Sequence, residues 1–192
     1  MELLFDLDGT LTDPERGIAQ CINHALDGAG RPSPPIDLLR RYIGPPLRGT
    51  FAELLETEDE SAIDTALDCY RHRFVQVGMY ENEVYEDVPR SLDALRQRGH
   101  RLWVATSKPE VYARRILEYF ELSTLFQNIY GSELSGERSD KGALIANILE
   151  RERLDPSDVW MIGDRSHDIA GVVPTTRGQW VWCGGTAPRK NF

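Results

Sequence analysis

Residues 3–13, LLFDLDGTLTD, run three apolar side chains, Leu3, Leu4 and Phe5, directly into the carboxylate of Asp6. They add a second carboxylate at Asp8 and break at Gly9 and Thr10. The apolar run reads as a short buried strand. Side chains of a strand alternate between its faces, so Asp6 and Asp8 are expected to point the same way. Two like charges held together at the end of a buried strand repel one another, which is costly unless a cation or a reaction uses them.

Outward from this stretch the pattern changes character twice. After Pro14 the apolar residues fall at helical spacing, with Ile18, Cys21, Ile22, Ala25, Leu26 and Ala29 on one face and a stop at Gly30 and Pro32. Helical stretches follow in IDLLRRYI (36–43), LRGTFAELLE (47–56) and DESAIDTALDCYRHRFVQVG (59–78). The last carries a stripe of Ile63, Ala66, Leu67, Tyr70, Phe74 and Val77. Gly44, Pro45 and Pro46 separate two of these helices, since proline cannot continue one. From about Asp87 strand and helix alternate. Helices are expected in SLDALRQRG (91–99), PEVYARRILEYF (109–120) and KGALIANILERE (141–152), and strands in RLWVATS (101–107), NIYGS (128–132), DVWMIGD (158–164) and WVWCG (180–184). Apolar runs separated by amphipathic helices predict an α/β fold, a Rossmann-like parallel sheet covered on both faces. Residues 1–13 and 88–192 form its core, and 14–87 a helical insertion.

Polar residues collect at the carboxyl ends of these strands. Asp6 and Asp8 end the first, Thr106 and Ser107 the second and Asp164 the fourth, while Lys141 opens the helix after the third. Ligands of open α/β sheets bind outside the carboxyl ends of the strands, so these positions converge on one crevice. Lys108 reads as structural. His24, His72, His100 and His167 have no metal-ligand spacing and read as surface or satisfied residues. Trp103, Trp160, Trp180 and Trp182 lie in strand patterns and read as core.

Composition narrows the function. A chain of 192 residues, 41% hydrophobic and 28% charged, is ordinary for a globular protein and long enough for one core carrying an insertion. A net charge of -9 argues against a nucleic-acid or anionic-membrane surface, both of which need a basic footprint. A small anionic substrate stays compatible, because local donors and a metal override global charge. Cys21, Cys69 and Cys183 are odd in number and lack C-x-x-C spacing, as expected of buried thiols in a reducing compartment. No signal-like segment precedes Leu3 and no apolar run approaches a membrane span, so the expected location is cytoplasmic.

DLDGTLTD (6–13), VATSK (104–108), SDKGALI (139–145) and MIGDRSHDIAGV (161–172) resemble the four ordered motifs of the haloacid-dehalogenase-type phosphatases. The helical insertion after the first motif resembles their helical cap. DLDGTLTDPERGI, YIGPPLRGTF and YGSELSGERSDKGALI are most similar to the phosphoglycolate-phosphatase-like branch. The likeness covers nearly the whole chain and departs at WVWCGGTAPRKNF (180–192), which stops without the further helix and strand usual in that family.

The resemblance implies a Mg²⁺-dependent phosphatase of a small phosphorylated metabolite. In it Asp6 attacks phosphorus to form an aspartyl phosphate, and Asp8 protonates the leaving oxygen and then takes a proton from water. Mg²⁺ is expected between Asp6, the backbone carbonyl of Asp8, and Asp164, since a hard ion prefers oxygen ligands. Thr106, the Ser107 amide and Lys141 would hold the phosphoryl oxygens, and Asp168 would orient the metal shell or Lys141. Arg48, just inside a helix of the insertion, is the expected contact to a carboxylate or second phosphate on the substrate. A nucleoside 5'-monophosphate phosphatase or a phosphomutase is the alternative within the superfamily. A phosphonate hydrolase is disfavoured because no lysine lies between Glu2 and Arg101 to form a Schiff base. A dehalogenase is disfavoured because it needs neither second acid nor metal. A non-enzymatic phospho-acceptor is disfavoured because its acceptor lies on a mid-chain strand, whereas the acid pair here is on the first.

Overall fold

The computed structural model describes residues 1–43, 46–134 and 140–164, and residues 178–181 as strand backbone. The fully buried strand β1 (Glu2–Phe5) is the centre of a five-stranded parallel sheet. On one side it pairs with β4 (Arg101–Pro109), Leu3 opposite Leu102 and Phe5 opposite Val104. On the other it pairs with β6 (Val159–Gly163), Leu3 opposite Trp160 and Phe5 opposite Ile162. β5 (Ile129–Ser132) lies outside β4, and β7 (Gly178–Val181) outside β6, for the order β5-β4-β1-β6-β7. Strand order therefore runs outward from β1 to β5 and then restarts at β6 on the opposite side, and such a reversal opens a crevice at the carboxyl ends of β1 and β6. β7 falls slightly before the expected WVWCG strand, of which Trp182 and Cys183 lie outside the described residues.

Helix α7 (Lys141–Glu152) supplies Leu144, Ile145, Ile148 and Leu149 to a cluster with Leu4, Trp103, Ala105, Tyr130 and Met161 of the sheet. A buried acid lies at the other end of β1, where Glu2 accepts from Trp103 Nε1 at 2.8 Å and pairs with Arg101 at 2.6 Å. These bonds offset the desolvation of its carboxylate. Helices α5 (Val88–Gln97) and α6 (Glu110–Tyr119) flank β4 in sequence. Arg114 of α6 donates to the Ile129 carbonyl at 2.7 Å, and the Ile129 amide donates to Asn128 Oδ1 at 2.9 Å, so side chains occupy this edge of the sheet.

Tyr130 is buried on β5 and donates its hydroxyl to Glu152. Burial first, then the Glu152 carboxylate, pushes the hydroxyl up to about 12, against about 10 for a free tyrosine. The folded state thus holds this proton more tightly than the unfolded state. The resulting stability is fully present below about pH 10 and is lost as pH rises through about 12. Urea unfolding across that window should fall less steeply for Tyr130→Phe than for the wild type, and parallel curves would show that Tyr130 does not contribute.

The chain divides into two compact units, one of Met1–Asp13 with Val84–Phe192 and one of Pro14–Glu83. The return to the first unit comes a few residues before the expected boundary at Asp87. There Tyr85 N donates to Leu11 O at 3.3 Å, and Tyr85 to Val88 line a cavity with Phe5, Leu11 and Ile162. β2 (Thr12–Asp13) and β3 (Glu83–Val84) form a small sheet of their own.

In Pro14–Glu83, α1 (Glu15–Gly28) buries Ile18, Cys21, Ile22, Ala25 and Leu26. The IDLLRRYI stretch gives only a short α2 (Ile36–Leu39) and a 3₁₀ turn. α3 (Leu47–Leu55) and α4 (Glu60–Gln76) meet through Phe51 and Tyr70, whose rings lie edge to face. Val77, expected on the α4 stripe, is exposed instead, because the helix ends at Gln76 and Val77 leaves helical geometry. Arg73 ties α4 to α1 through Gln20 at 2.8 Å and Cys21 Sγ at 3.2 Å, and also pairs with Glu81. Among the described residues no helix is long and apolar enough to cross a membrane.

Candidate active site

Asp6 is fixed to the tip of β1 because its amide still donates to Ile162 O of β6 at 2.9 Å. Beyond it the backbone winds around one carbonyl. Leu7 O accepts from the amides of Thr10, Leu11 and Thr12 at 3.2, 2.9 and 3.0 Å, and Gly9 N donates to Thr12 O at 2.7 Å. β1 therefore ends at Phe5, and Asp6 and Asp8 lie in the loop that follows it rather than within the strand. The two acids are served by different cations. Asp6 Oδ1 accepts the Leu7 amide at 2.8 Å and lies 3.1 Å from Lys141 Nζ. Asp8 Oδ2 lies 2.6 Å from Lys108 Nζ. Separate ammonium partners remove the repulsion that the paired acids implied.

Gly9 has a φ of +85°, which favours glycine. A second demand on the position is steric. A Cβ at Gly9 would stand 2.3 Å from Asp164 Oδ2, so the bare backbone admits that carboxylate to the loop. Asp164 follows directly on β6 and is buried, like Asp6. The parallel register of β1 and β6 thus delivers both acids to the switch point.

Lys141 is the first residue of α7, a helix started by the Asp140 side chain, which accepts from Ala143 N at 2.8 Å. Such a cap contributes about 1 kcal/mol. It also aims the Lys141 ammonium inward, where it is 3% exposed and donates to Ala105 O at 2.9 Å as well as facing Asp6. Thr106, Ser107 and Lys108 occupy a register shift in β4 between Ala105 and Pro109. Irregularities of this kind re-aim side chains at the rim of a sheet. Within it the Lys108 amide donates to Thr106 Oγ1 at 3.3 Å, and Ser132 Oγ donates to Ser107 O at 2.8 Å.

The expected core residues thus lie in one unit, with Asp6 on Lys141, Asp164 against Gly9, and Thr106 and Ser107 on the strand beside β1. Arg48 belongs to the other unit, where it is exposed and paired with Glu60 and Asp64. Asp168 and His167 lie outside the described residues. Sequence reasoning read Lys108 as structural and did not anticipate its ion pair with Asp8, for which its place beside Thr106 and Ser107 at a strand end was the only signal. Among the described residues no three carboxylate, histidine or cysteine side chains gather around a point. The expected cation needs only the two carboxylates of Asp6 and Asp164 with a carbonyl and water, all hard oxygen donors that fit Mg²⁺.

The sequence matches the family described as haloacid dehalogenase-like hydrolase over residues 3–173. It is 46% identical over 170 residues to a 5'-nucleotidase of Pseudomonas aeruginosa, covering 88% of this chain and 76% of that protein. It is 28% identical over 167 residues to a phosphoglycolate phosphatase of Aquifex aeolicus, covering 87% of this chain and 77% of that protein. It is also similar to the tyrosine-protein kinase PtkA of Mycobacterium tuberculosis, 40% identical over 171 residues, which span 89% of this chain and 58% of that protein. The solved PtkA structure matches with a TM-score of 0.83 at 38% identity, covering 100% of this chain and 87% of that chain. Four ordered motifs, acids at adjoining strand tips and relatives of this kind lead to one assignment: the chain belongs to the haloacid dehalogenase-like hydrolase family and is one of its phosphatases.

Proposed function

We propose that the protein is a Mg²⁺-dependent phosphatase that hydrolyses a small phosphomonoester through an aspartyl-phosphate intermediate on Asp6. The observation that carries this is a buried Asp6 carboxylate held at the tip of β1 by Lys141, with the Asp164 carboxylate on the next strand. A carboxylate fixed by one oxygen can turn the other toward phosphorus, splitting a slow displacement into two faster ones. Lys141, with Thr106 and the Ser107 amide, neutralises the phosphoryl oxygens as charge builds on them. Asp8 gives its proton to the leaving oxygen, then takes one from the water that attacks the acyl phosphate. When bound by Asp6, Asp164 and the Asp8 carbonyl, Mg²⁺ supplies charge stabilisation and alignment for the phosphoryl group.

The phosphoglycolate-phosphatase likeness suggests a small carboxylated phosphoester. The 5'-nucleotidase relative, at the higher identity of 46%, favours a nucleoside 5'-monophosphate as the second reading. Arg48 is the proposed contact to an anionic tail on the substrate, a role in which the tail would compete with Glu60 and Asp64 for the guanidinium. A panel including phosphoglycolate, nucleoside monophosphates and sugar phosphates, read by released phosphate, decides among these.

The cation has its own test. Adding Mg²⁺ to metal-stripped protein should raise the melting temperature, since binding at 100 times Kd stabilises the native state by about 2.7 kcal/mol. Asp164→Asn should abolish the shift. Full turnover in excess chelator would overturn the metal requirement.

A further inference from the structure

We propose that Lys108 is a positioning residue for Asp8, holding one carboxylate oxygen so that the other faces the leaving group. The inference rests on the phosphatase reading above and assigns Lys108 a role that the sequence pattern did not give it. Its ammonium lies 2.6 Å from Asp8 Oδ2, and its side chain is 8% exposed. The other oxygen, Asp8 Oδ1, is buried and has no hydrogen-bond partner among the described residues. A buried carboxylate oxygen without a partner costs free energy. One that meets a leaving-group oxygen only when substrate is bound recovers that cost in the reaction.

The choice of lysine carries further weight. Of the 22 Lys and Arg residues only Lys108, Lys141 and Lys190 are lysine. The two within the described residues each take one of the front acids, Lys141 on Asp6 and Lys108 on Asp8. Every other described member of the lysine and arginine set is arginine. A compact ammonium is a point charge that fits a narrow buried slot, whereas a guanidinium brings a wide planar fork. The register shift of β4 at Ala105–Pro109 is what carries Lys108 to this place.

The proton balance leaves Lys108 unchanged throughout. The Asp8 proton passes to the leaving oxygen as the P–O bond to it breaks, and Asp8 regains a proton from the water that cleaves the acyl phosphate. Lys108 contributes geometry, so its loss should appear where Asp8 matters and nowhere else.

Lys108→Met, Asp8→Asn and the double variant, each with Mg²⁺ added, are compared with the wild type on nitrophenyl phosphate and on an alkyl phosphate. Lys108→Met should lower kcat on the alkyl phosphate by about 10- to 100-fold, the size of effect expected when a reacting group is misplaced by about 1 Å. The loss should be smaller on nitrophenyl phosphate, whose leaving group needs no protonation. KM should stay near the wild-type value. In the Asp8→Asn background, removing Lys108 should cost nothing more, because residues that act as a unit are not additive. Lys108→Arg should restore only part of the rate.

A raised KM with kcat intact would overturn the proposal in favour of direct substrate binding. Multiplicative losses in the double variant would overturn it too, as would an equal loss on both substrates with a lowered melting temperature. Wild-type turnover by Asp8→Asn alone would overturn the reading of Asp8 itself, and that single variant separates the two failures.

Discussion

Asp6→Asn is expected to leave a folded protein that turns over at least about 10⁴-fold more slowly, the scale on which a covalent nucleophile is missed. The asparagine carbonyl can still accept the Leu7 amide and face Lys141, so the tip of β1 keeps its local hydrogen bonds. What is lost is a nucleophilic oxygen and one negative charge. Circular dichroism should be unchanged, and phosphate release should fall alike for aryl and alkyl phosphates, because attack on phosphorus precedes any help to the leaving group. A rate within tenfold of the wild type would exclude Asp6 as the nucleophile.

Lys141→Met is expected to show its largest effect on stability. Lys141 is 3% exposed and Asp6 7%. Removing one member of a buried ion pair leaves the other charge uncompensated, at a cost of about 3–5 kcal/mol. With a urea slope of about 1–3 kcal/mol per molar, the midpoint should drop by at least about 1 M in the absence of Mg²⁺. Combining Lys141→Met with Asp6→Asn should recover much of the loss, since neither charge then remains buried alone. A double variant no more stable than Lys141→Met would show that Lys141 contributes through packing and its bond to Ala105 O rather than through Asp6.

Much of the architecture was legible because apolar periodicity and strand-end chemistry are local signals. LLF, RLWVATS, NIYGS and DVWMIGD carry enough apolar, β-branched or aromatic residues to mark their strands, and Lys141 follows an Asp that caps a helix. What stayed hidden depends on loop geometry and three-dimensional partners. That β1 ends at Phe5, short of both acids, was hidden because the turn that gathers three amides on the Leu7 carbonyl is not written in the apolar pattern. The end of α4 before Val77 was hidden because an apolar residue on the right stripe does not disclose where the helix stops. The Lys108–Asp8 pair stayed hidden because a place after Thr106 and Ser107 does not disclose the register shift that brings the ammonium to that acid. Arg48 was singled out for its place at a helix start, and the acids that hold it, Glu60 and Asp64, belong to the next helix.

Among the described strands of the sheet, the central one precedes its partners in the chain. Leu3 has partners at Leu102 and Trp160 and none nearby in sequence, whereas Pro14–Glu83 is a continuous stretch of chain with its own packing. On a ribosome the helical segment can collapse while β1 waits with unpaired backbone, and the sheet cannot begin until β4 emerges. Non-local pairing of this kind is slow and exposes strand edges to other chains. Asp6 and Asp8, which follow β1 directly, therefore stay attached during synthesis to a strand that must wait for β4 to emerge.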